Sequence, residues 1–185
     1  MPVPTHLYTV EDVRAMPDDG NRYEVIAGEL FVTPAPNLRH QTVLARLYLL
    51  IGNYVDRHHL GLALFAPTDV VLGPTTLVEP DLLFVRAARL GIATAQEFKA
   101  APDLAIEVIS PSSSRADRGR KRALYQDEGV TEYWIVDPEL EHVEVWRPGA
   151  ATPELHRETL SWRPEASVEA LIIDVPALFA RVNPT

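Results

Sequence analysis

Two acidic residues lie in stretches of sequence that are otherwise apolar. Glu107 lies in LAIEVIS, residues 104–110, and Asp81 lies in LVEPDLLFV, residues 77–85. A carboxylate among aliphatic side chains is costly unless it is ion-paired or metal-bound. On neighbouring strands of one sheet, the two carboxylates can bind one divalent cation through hard oxygen ligands. A structural ion pair, for example with an arginine, is the alternative interpretation of Glu107.

Pro80 directly precedes Asp81. Proline has no backbone N–H to donate to a neighbouring strand, so we expect this strand to be bulged or to lie at a sheet edge here. A bulge is a common way to redirect a side chain into a site. In a regular strand, Asp81 would share its face with Glu79, Leu83 and Val85.

Further candidates follow the loop PSSS. Asp117, Lys121 and Tyr125 are spaced four residues apart, which places them on roughly one face of a helix. A solvated face of ion pairs is the alternative interpretation. Asp117 also has a structural interpretation as the acid of a capping box. For Arg118 and Arg122, one position further along, we prefer the solvated face.

Hydrophobic periodicity and turn residues predict the elements that position these side chains. They are a short helix with a Thr9/Asp12 capping box that ends before Pro17, a hairpin RYEVIAGELFV turning at Ala27-Gly28, a helix from Leu38 to about Arg57, strands LALFAPTDVVL, LVEPDLLFV and PDLAIEVIS, a short helix near Thr94 to Lys99, a helix from about Arg115 to Glu128 capped by Ser114 and ended by Gly129, strands EYWIVDP and HVEVWRP, and a final strand with a short helix near Ala177 to Arg181.

The bulk composition limits the class of protein. The 185 residues are 46% hydrophobic and 23% charged, which is ordinary for a globular domain, and we expect one domain over residues 1–185. The absence of cysteine excludes zinc–thiolate sites and disulfides. With no long apolar run and no signal-like N-terminus, we expect a cytoplasmic protein without membrane contact. The net charge of −9 opposes nucleic-acid binding, although RADRGRKR, residues 115–122, holds five basic residues.

Several blocks of the sequence together resemble the Uma-two family of putative restriction endonucleases, within the PD-(D/E)XK nuclease superfamily. The blocks are RYEVIAGEL, PNLRH, EPDLLFV and APDLAIEVISPSSSRADRGRKRALYQDEGVTEYWIVDP, which end near residue 138. The resemblance implies a mixed α/β (α+β) fold of the restriction-endonuclease-like type, with helices flanking the sheet and an N-terminal hairpin. It also implies a bacterial, metal-dependent endonuclease that hydrolyses phosphodiester bonds of DNA.

The resemblance also assigns roles to residues. The superfamily lysine two residues after the glutamate is replaced here by Ile109, and Lys121 on the following helix stands in its place. Glu24, with Glu29 nearby, matches an acid of the early hairpin, and His40 matches a position at the start of the long helix. Asp81, Glu107 and the backbone carbonyl of Val108 are the implied ligands of Mg²⁺ or Mn²⁺. The implied catalytic residues are Asp81, Glu107, Lys121 and Glu24.

Two alternatives to the nuclease stay open. The chain could be a degenerate member that keeps the fold as a binding or assembly module, which the missing Glu-x-Lys spacing and the net charge favour. A small-molecule or nucleotide hydrolase is a weaker alternative, since no glycine-rich phosphate loop is visible. We also expect a homo-oligomer, most simply a dimer. The strands around Trp134 and Trp146 could form either core or a dimer face.

These hypotheses make three geometric and electrostatic predictions. Asp81 and Glu107 should lie on adjacent strands. At least one of the two should have a raised pKa without metal, because clustered acids repel one another. The Lys121 ammonium should lie within about 6 Å of the Glu107 carboxylate, a range in which opposite charges shift each other's ionisation.

Overall fold

Thirteen strands and four α-helices make up the part of the chain that the computed structural model describes, residues 6–110 and 117–180. The strands are β1 (Arg22–Ile26), β2 (Glu29–Thr33), β3 (Gly61–Phe65), β4 (Asp69–Gly73), β5 (Thr76–Val78), β6 (Leu82–Arg86), β7 (Glu97–Phe98), β8 (Leu104–Val108), β9 (Glu132–Asp137), β10 (His142–Trp146), β11 (Glu154–His156), β12 (Thr159–Trp162) and β13 (Leu171–Asp174). The helices are α1 (Val10–Arg14), α2 (Leu38–Arg57), α3 (Arg122–Asp127) and α4 (Val175–Phe179), with a 3₁₀ turn at Ala87–Ile92 and a π-helical turn at Asp117–Lys121.

Two larger sheets and one small ribbon contain these strands. The six-stranded sheet has the order β11-β10-β9-β8-β6-β3 and is antiparallel except for the β8–β9 pair. The five-stranded sheet has the order β2-β1-β5-β4-β7, and its β4–β7 pair is parallel. Strands β12 and β13 form a separate ribbon. The predicted mixed architecture of sheets with helices packed on them is confirmed.

Local sequence explains the hairpin and the long helix. Ala27 and Gly28 both have positive φ angles, 49° and 80°, as a tight two-residue turn between β1 and β2 requires. Helix α2 begins after Asn37, whose side chain accepts a hydrogen bond from the His40 N–H, and it ends at Arg57 as predicted. The Thr9/Asp12 capping box of α1 is also present.

The six-stranded sheet is covered on both faces, which is why β6, β8 and β9 carry apolar side chains on both faces, apart from Glu107 and a few charged residues at the strand ends. One face packs against α2, α4 and the β12–β13 ribbon. Its core includes Leu47, Ile51, Phe84, Ile106, Trp134 and Trp162. The other face packs against the five-stranded sheet and α3. Its core includes Ile26, Val78, Val85, Ala105, Ile109 and Tyr125. Trp134 is fully buried and therefore belongs to the core, whereas Trp146 is partly buried and lies beneath the Arg122 guanidinium.

The prediction of one continuous strand over residues 77–85 is wrong. Strand β5 pairs in the five-stranded sheet and β6 in the six-stranded sheet, and Glu79, Pro80 and Asp81 form the connection. The preceding run, LALFAPTDVVL, is likewise split into β3 and β4 around Pro67. Neither proline can donate to a ladder, so each run breaks there and the chain changes sheet. Asp81 consequently lies at the junction of the two sheets, and it does not share a strand face with Glu79.

Two predicted helices are displaced. Instead of a helix near Thr94 to Lys99, the chain has the 3₁₀ turn at 87–92 followed by β7. The Thr94 hydroxyl accepts hydrogen bonds from the backbone N–H groups of Gln96 and Glu97 and so closes a turn. The last helix begins at Val175, because Asp174 caps it by accepting a hydrogen bond from the Ala177 N–H.

The helix predicted from Arg115 to Glu128 is described only from Asp117 onward. Ser114 and Arg115 lie outside the described residues. The described part is the π-helical turn followed by α3. Gly129 adopts φ +73° just beyond the end of α3, which confirms it as the C-terminal stop.

Leu47→Ala should lower the free energy of unfolding by about 2 to 5 kcal/mol, because it leaves a cavity between α2 and the six-stranded sheet. Leu49→Ala is the matched control, since Leu49 is 60% exposed on the same helix. It should change the free energy by less than about 0.5 kcal/mol. Urea unfolding followed by circular dichroism measures both. Similar losses for the two variants would contradict the packing of α2.

Candidate active site

Acidic and basic side chains converge where the two sheets meet. Strand β1 contributes Glu24, the β5–β6 connection contributes Asp81, β8 contributes Glu107, and the π-helical turn contributes Lys121. All four are almost completely buried, with exposures of 1%, 3%, 1% and 2%. Burying this many charges is costly unless each one is paired and hydrogen-bonded.

Lys121 bridges two of the acids. Its Nζ lies 2.8 Å from Glu107 Oε1 and 2.9 Å from Glu24 Oε2. The Tyr125 hydroxyl, one helical turn further along, lies 3.4 Å from the same Glu107 oxygen. The ammonium is thus well within the predicted distance of Glu107. The predicted shared face of Lys121 and Tyr125 is also present, whereas the Asp117 side chain lies outside the described residues.

Asp81 has its own set of donors. Arg22 Nη1 donates to Oδ1 at 2.8 Å, the Val108 N–H donates to Oδ2 at 2.8 Å, and His40 Nε2 lies 3.0 Å from Oδ2. Burial opposes the ionisation of Asp81, but the contacts with His40 and Arg22 outweigh burial and lower its pKa to about 2. The pKa of Asp81 is thus lowered, so the expectation that at least one of the two acids has a raised pKa stays a prediction that now depends on Glu107.

The strand register brings Asp81 and Glu107 together. In the β6–β8 ladder, Leu82 pairs with Ile106. Extending that antiparallel register by one residue places Asp81 opposite Glu107, which is consistent with the hydrogen bond from Val108 to Asp81. The two acids are therefore neighbours, as predicted, although only Glu107 lies on a strand and Asp81 directly precedes the adjacent strand β6.

Strand β1 also fixes the connection that carries Asp81. Glu24 Oε1 accepts the Glu79 N–H at 2.7 Å, and Arg22 Nη1 donates to the Glu79 carbonyl at 3.0 Å. The Glu79 carboxyl itself is mostly buried. Burial, together with the negative charges of Glu24 and Asp69, raises its pKa to about 7. The Glu79 carboxyl is thus only partly ionised at neutral pH.

Other predicted candidates have different surroundings. Glu29 pairs with Arg120 at 2.9 Å on the surface, where both side chains are about half exposed, so it lies outside the buried cluster. The Val108 side chain packs in the core, and its backbone N–H donates a hydrogen bond to Asp81. Arg118 is not on a solvated face, because it pairs with the buried acids Asp137 and Glu144.

The sequence interpretation missed Arg22 and Glu79. The signal for Arg22 was available, because it lies two residues before Glu24 and side chains two apart on a strand share a face. The pairing of Arg22 with Asp81 depends on the two sheets meeting, which no local pattern shows.

A cleft of about 790 Å³ gives access to the cluster from the Asp81 side. Its walls come from the β1–β2 hairpin, the start of α2 and the connections around Pro67 and Asp81. Arg22, His40, Glu79 and Asp81 all line it. A ligand in this cleft would therefore reach the Asp81 carboxylate directly.

The model of the Uma2 family, described as "Putative restriction endonuclease", matches residues 10–176. The chain belongs to the Uma2 family. This confirms the resemblance seen in the sequence. A search of the curated proteins gives no match for the Uma2 chain.

A solved structure shares the fold of this Uma2 protein. It is the crystal structure of a putative nuclease belonging to DUF820 from Anabaena variabilis, with a TM-score of 0.77 and 20% sequence identity, covering 93% of this chain and 97% of that one. At this identity the likeness shows the fold alone. It supports the restriction-endonuclease-like fold that the sequence predicted.

Membrane insertion by a helix has no support in the described residues. Within 6–110 and 117–180, no helix is both long enough and apolar enough to cross a bilayer.

Lys121→Met should destabilise the protein by about 3 to 5 kcal/mol, because it leaves two buried carboxylates without the ammonium between them. Arg120→Met is the control, since Arg120 is a neighbouring cation in an exposed pair with Glu29. The Arg120→Met variant should lose less than about 1 kcal/mol of its free energy of unfolding. Chemical denaturation without added metal measures both, and equal stability of the two variants would rule out the buried bridge.

Glu79→Gln should stabilise the metal-free protein in a pH-dependent way. The folded-state pKa of about 7 exceeds the ordinary value of 4.5, so ionisation favours the unfolded chain as pH rises through this window. Glutamine cannot ionise. The free energy of unfolding of Glu79→Gln should therefore exceed that of the wild type by about 2 kcal/mol more at pH 8 than at pH 5. A gain that is the same at both pH values would show that Glu79 has an ordinary pKa.

Proposed function

We propose that this Uma2 protein is a metal-dependent nuclease that hydrolyses phosphodiester bonds of DNA. The family description and the nuclease named in the related crystal structure support a nuclease. The observation that carries the proposal is the placement of Asp81 opposite Glu107, with the Lys121 ammonium 2.8 Å from Glu107. It matches the chemistry of two acids and one cation that the family resemblance implies.

The donor set fits Mg²⁺ or Mn²⁺. Asp81 and Glu107 offer carboxylate oxygens, and the Val108 carbonyl adjoins Glu107. Among the described residues, no group of three or more histidine, cysteine or acidic side chains is arranged to hold a metal ion. That argues against a closed protein cage, whereas Mg²⁺ commonly uses one or two carboxylates and keeps several waters. Among the described residues, one donor, Arg22 Nη1, contacts Asp81 Oδ1, and a carboxylate oxygen with one donor keeps lone-pair capacity for a cation.

The chain's own residues prepare the site for phosphodiester hydrolysis. When bound, the metal ion would polarise the phosphate and lower the pKa of a coordinated water. Arg22 and His40 keep Asp81 ionised and fix its orientation. Glu24 holds Lys121, and Lys121 in turn holds Glu107.

The role of Lys121 in this proposal follows from its burial. With 2% of its surface exposed and no place in the lining of the cleft, it would act on the reaction through Glu107. Its partner Glu24 belongs to the catalytic set as a positioning residue, since it contacts Lys121 and the Glu79 backbone.

A cleavage assay on single-stranded, duplex and branched DNA with Mg²⁺, Mn²⁺ or EDTA tests the proposal. Products should form only with a divalent cation. Asp81→Asn and Glu107→Gln should each reduce the rate by at least about 100-fold, because each removes an oxygen ligand.

Asp103→Asn is the matched control for these variants. Asp103 is also a buried acid at β8, but it pairs with Arg86 and Arg89 and does not line the cleft. Its variant should keep cleavage even where it loses stability. Absence of metal-dependent cleavage on every substrate would contradict the nuclease proposal and favour the binding or assembly module.

A further inference from the structure

The cleft beside Asp81 has a largely apolar wall that the phosphodiester chemistry does not use. Its volume, about 790 Å³, lies in the range of sites that hold small organic groups. The apolar part of the lining includes Met16, Pro34, Pro36, Leu44, Phe65 and Pro67. A bound phosphodiester at Asp81 would place its adjoining nucleoside against this wall.

The charges that line the cleft would repel an extended run of phosphates, although a single phosphate could bind at Asp81 through a metal ion. Three acids line it, Asp69, Glu79 and Asp81. Its two lining arginines are already in ion pairs, Arg14 with Glu97 and Arg22 with Asp81. Proteins bind duplex DNA largely through rows of lysine and arginine side chains that contact its phosphates. The described residues that line the cleft do not form such a row. A neutral nucleobase incurs no repulsion from this lining.

Phe65 provides a stacking surface at the right place. It ends β3 and pairs with Leu82, the residue after Asp81, and the next N–H, from Ala66, donates to the Asp81 carbonyl at 3.0 Å. The ring packs edge-on against Tyr48, with centroids 4.7 Å apart at 71°, yet Phe65 is 49% exposed. An aromatic ring that is held by a neighbour and exposed to a cleft can stack on a base.

A polar group faces the same space. Gln41 is exposed on the first turn of α2, next to His40, and lines the cleft. Its amide has both donors and an acceptor, which suits the hydrogen-bonding edge of an unpaired base. In an intact duplex that edge is occupied by the partner strand.

We propose that the cleft binds an unpaired nucleobase stacked on Phe65 while the adjoining phosphate lies at Asp81. The preferred substrate of this Uma2 protein is then unpaired DNA, either single-stranded or locally opened, and not intact duplex. The inference rests on the proposed function, because a base is expected in the cleft only if a phosphodiester binds beside it.

Fluorescence anisotropy with labelled oligodeoxynucleotides tests this, with Ca²⁺ replacing Mg²⁺ and strand integrity checked on gels. Wild type should bind a single strand more tightly than the same strand in a duplex. Phe65→Ala should weaken single-strand binding about 5- to 100-fold, the range for loss of one stacked base, and Phe65→Trp should retain it. On a strand of the same length made of abasic sugars, Phe65→Ala should have no effect.

Leu155→Ala is the control. Leu155 is 57% exposed on β11, at the opposite edge of the six-stranded sheet from β3, and the variant should bind both substrates like wild type. Equal binding of single strand and duplex, no loss in Phe65→Ala, or an equal loss on the abasic strand would each overturn the base-binding proposal. In those cases metal-dependent cleavage would still stand. Absence of both binding and cleavage would overturn the nuclease proposal along with it.

Discussion

The Lys121 ammonium between Glu24 and Glu107 is the interaction on which the site depends. It joins the five-stranded sheet, the six-stranded sheet and the π-helical turn at one buried point, with contacts of 2.9 and 2.8 Å. Each of these charges would be costly to bury alone. Their mutual pairing therefore helps to fix the relative position of the three elements, together with the Arg118 pairs to Asp137 and Glu144 and the Arg120 pair to Glu29.

Asp81 is a second buried carboxylate that is stabilised by neighbouring donors. The Arg22 guanidinium pairs with it, the His40 ring contacts its other oxygen, and its lowered pKa favours the ionised form inside the protein. The oxygens of the site are therefore held in place by the protein's own charges, and under the proposed function a cation would meet preorganised ligands. If the base-binding proposal holds, a neutral base against the apolar wall of this cleft would not require the basic surface that a chain with net charge −9 lacks.

Local patterns in the sequence predicted the elements that are determined by local interactions. Helix α2 and the β1–β2 hairpin have the predicted bounds within a residue or so, because periodicity and turn residues determine them. Glu107 was identifiable as a lone acid in an apolar strand. Lys121 came from the family resemblance, since its spacing alone equally fits a solvated face. The switch of sheets at Pro80 and the Arg22–Asp81 pair depend on tertiary packing. The single domain over residues 1–185, the cytoplasmic location and the dimer stay predictions.

The most direct test of the metal site is the anomalous scattering of crystals soaked in Mn²⁺. The account predicts a peak between Asp81 and Glu107, about 2.0 to 2.6 Å from a carboxylate oxygen of each. Crystals of Asp81→Asn should lose that peak. A fully soaked crystal with no Mn²⁺ at these two acids, in which Arg22 and Lys121 keep their contacts unchanged, would contradict the account and leave the buried cluster with a structural role.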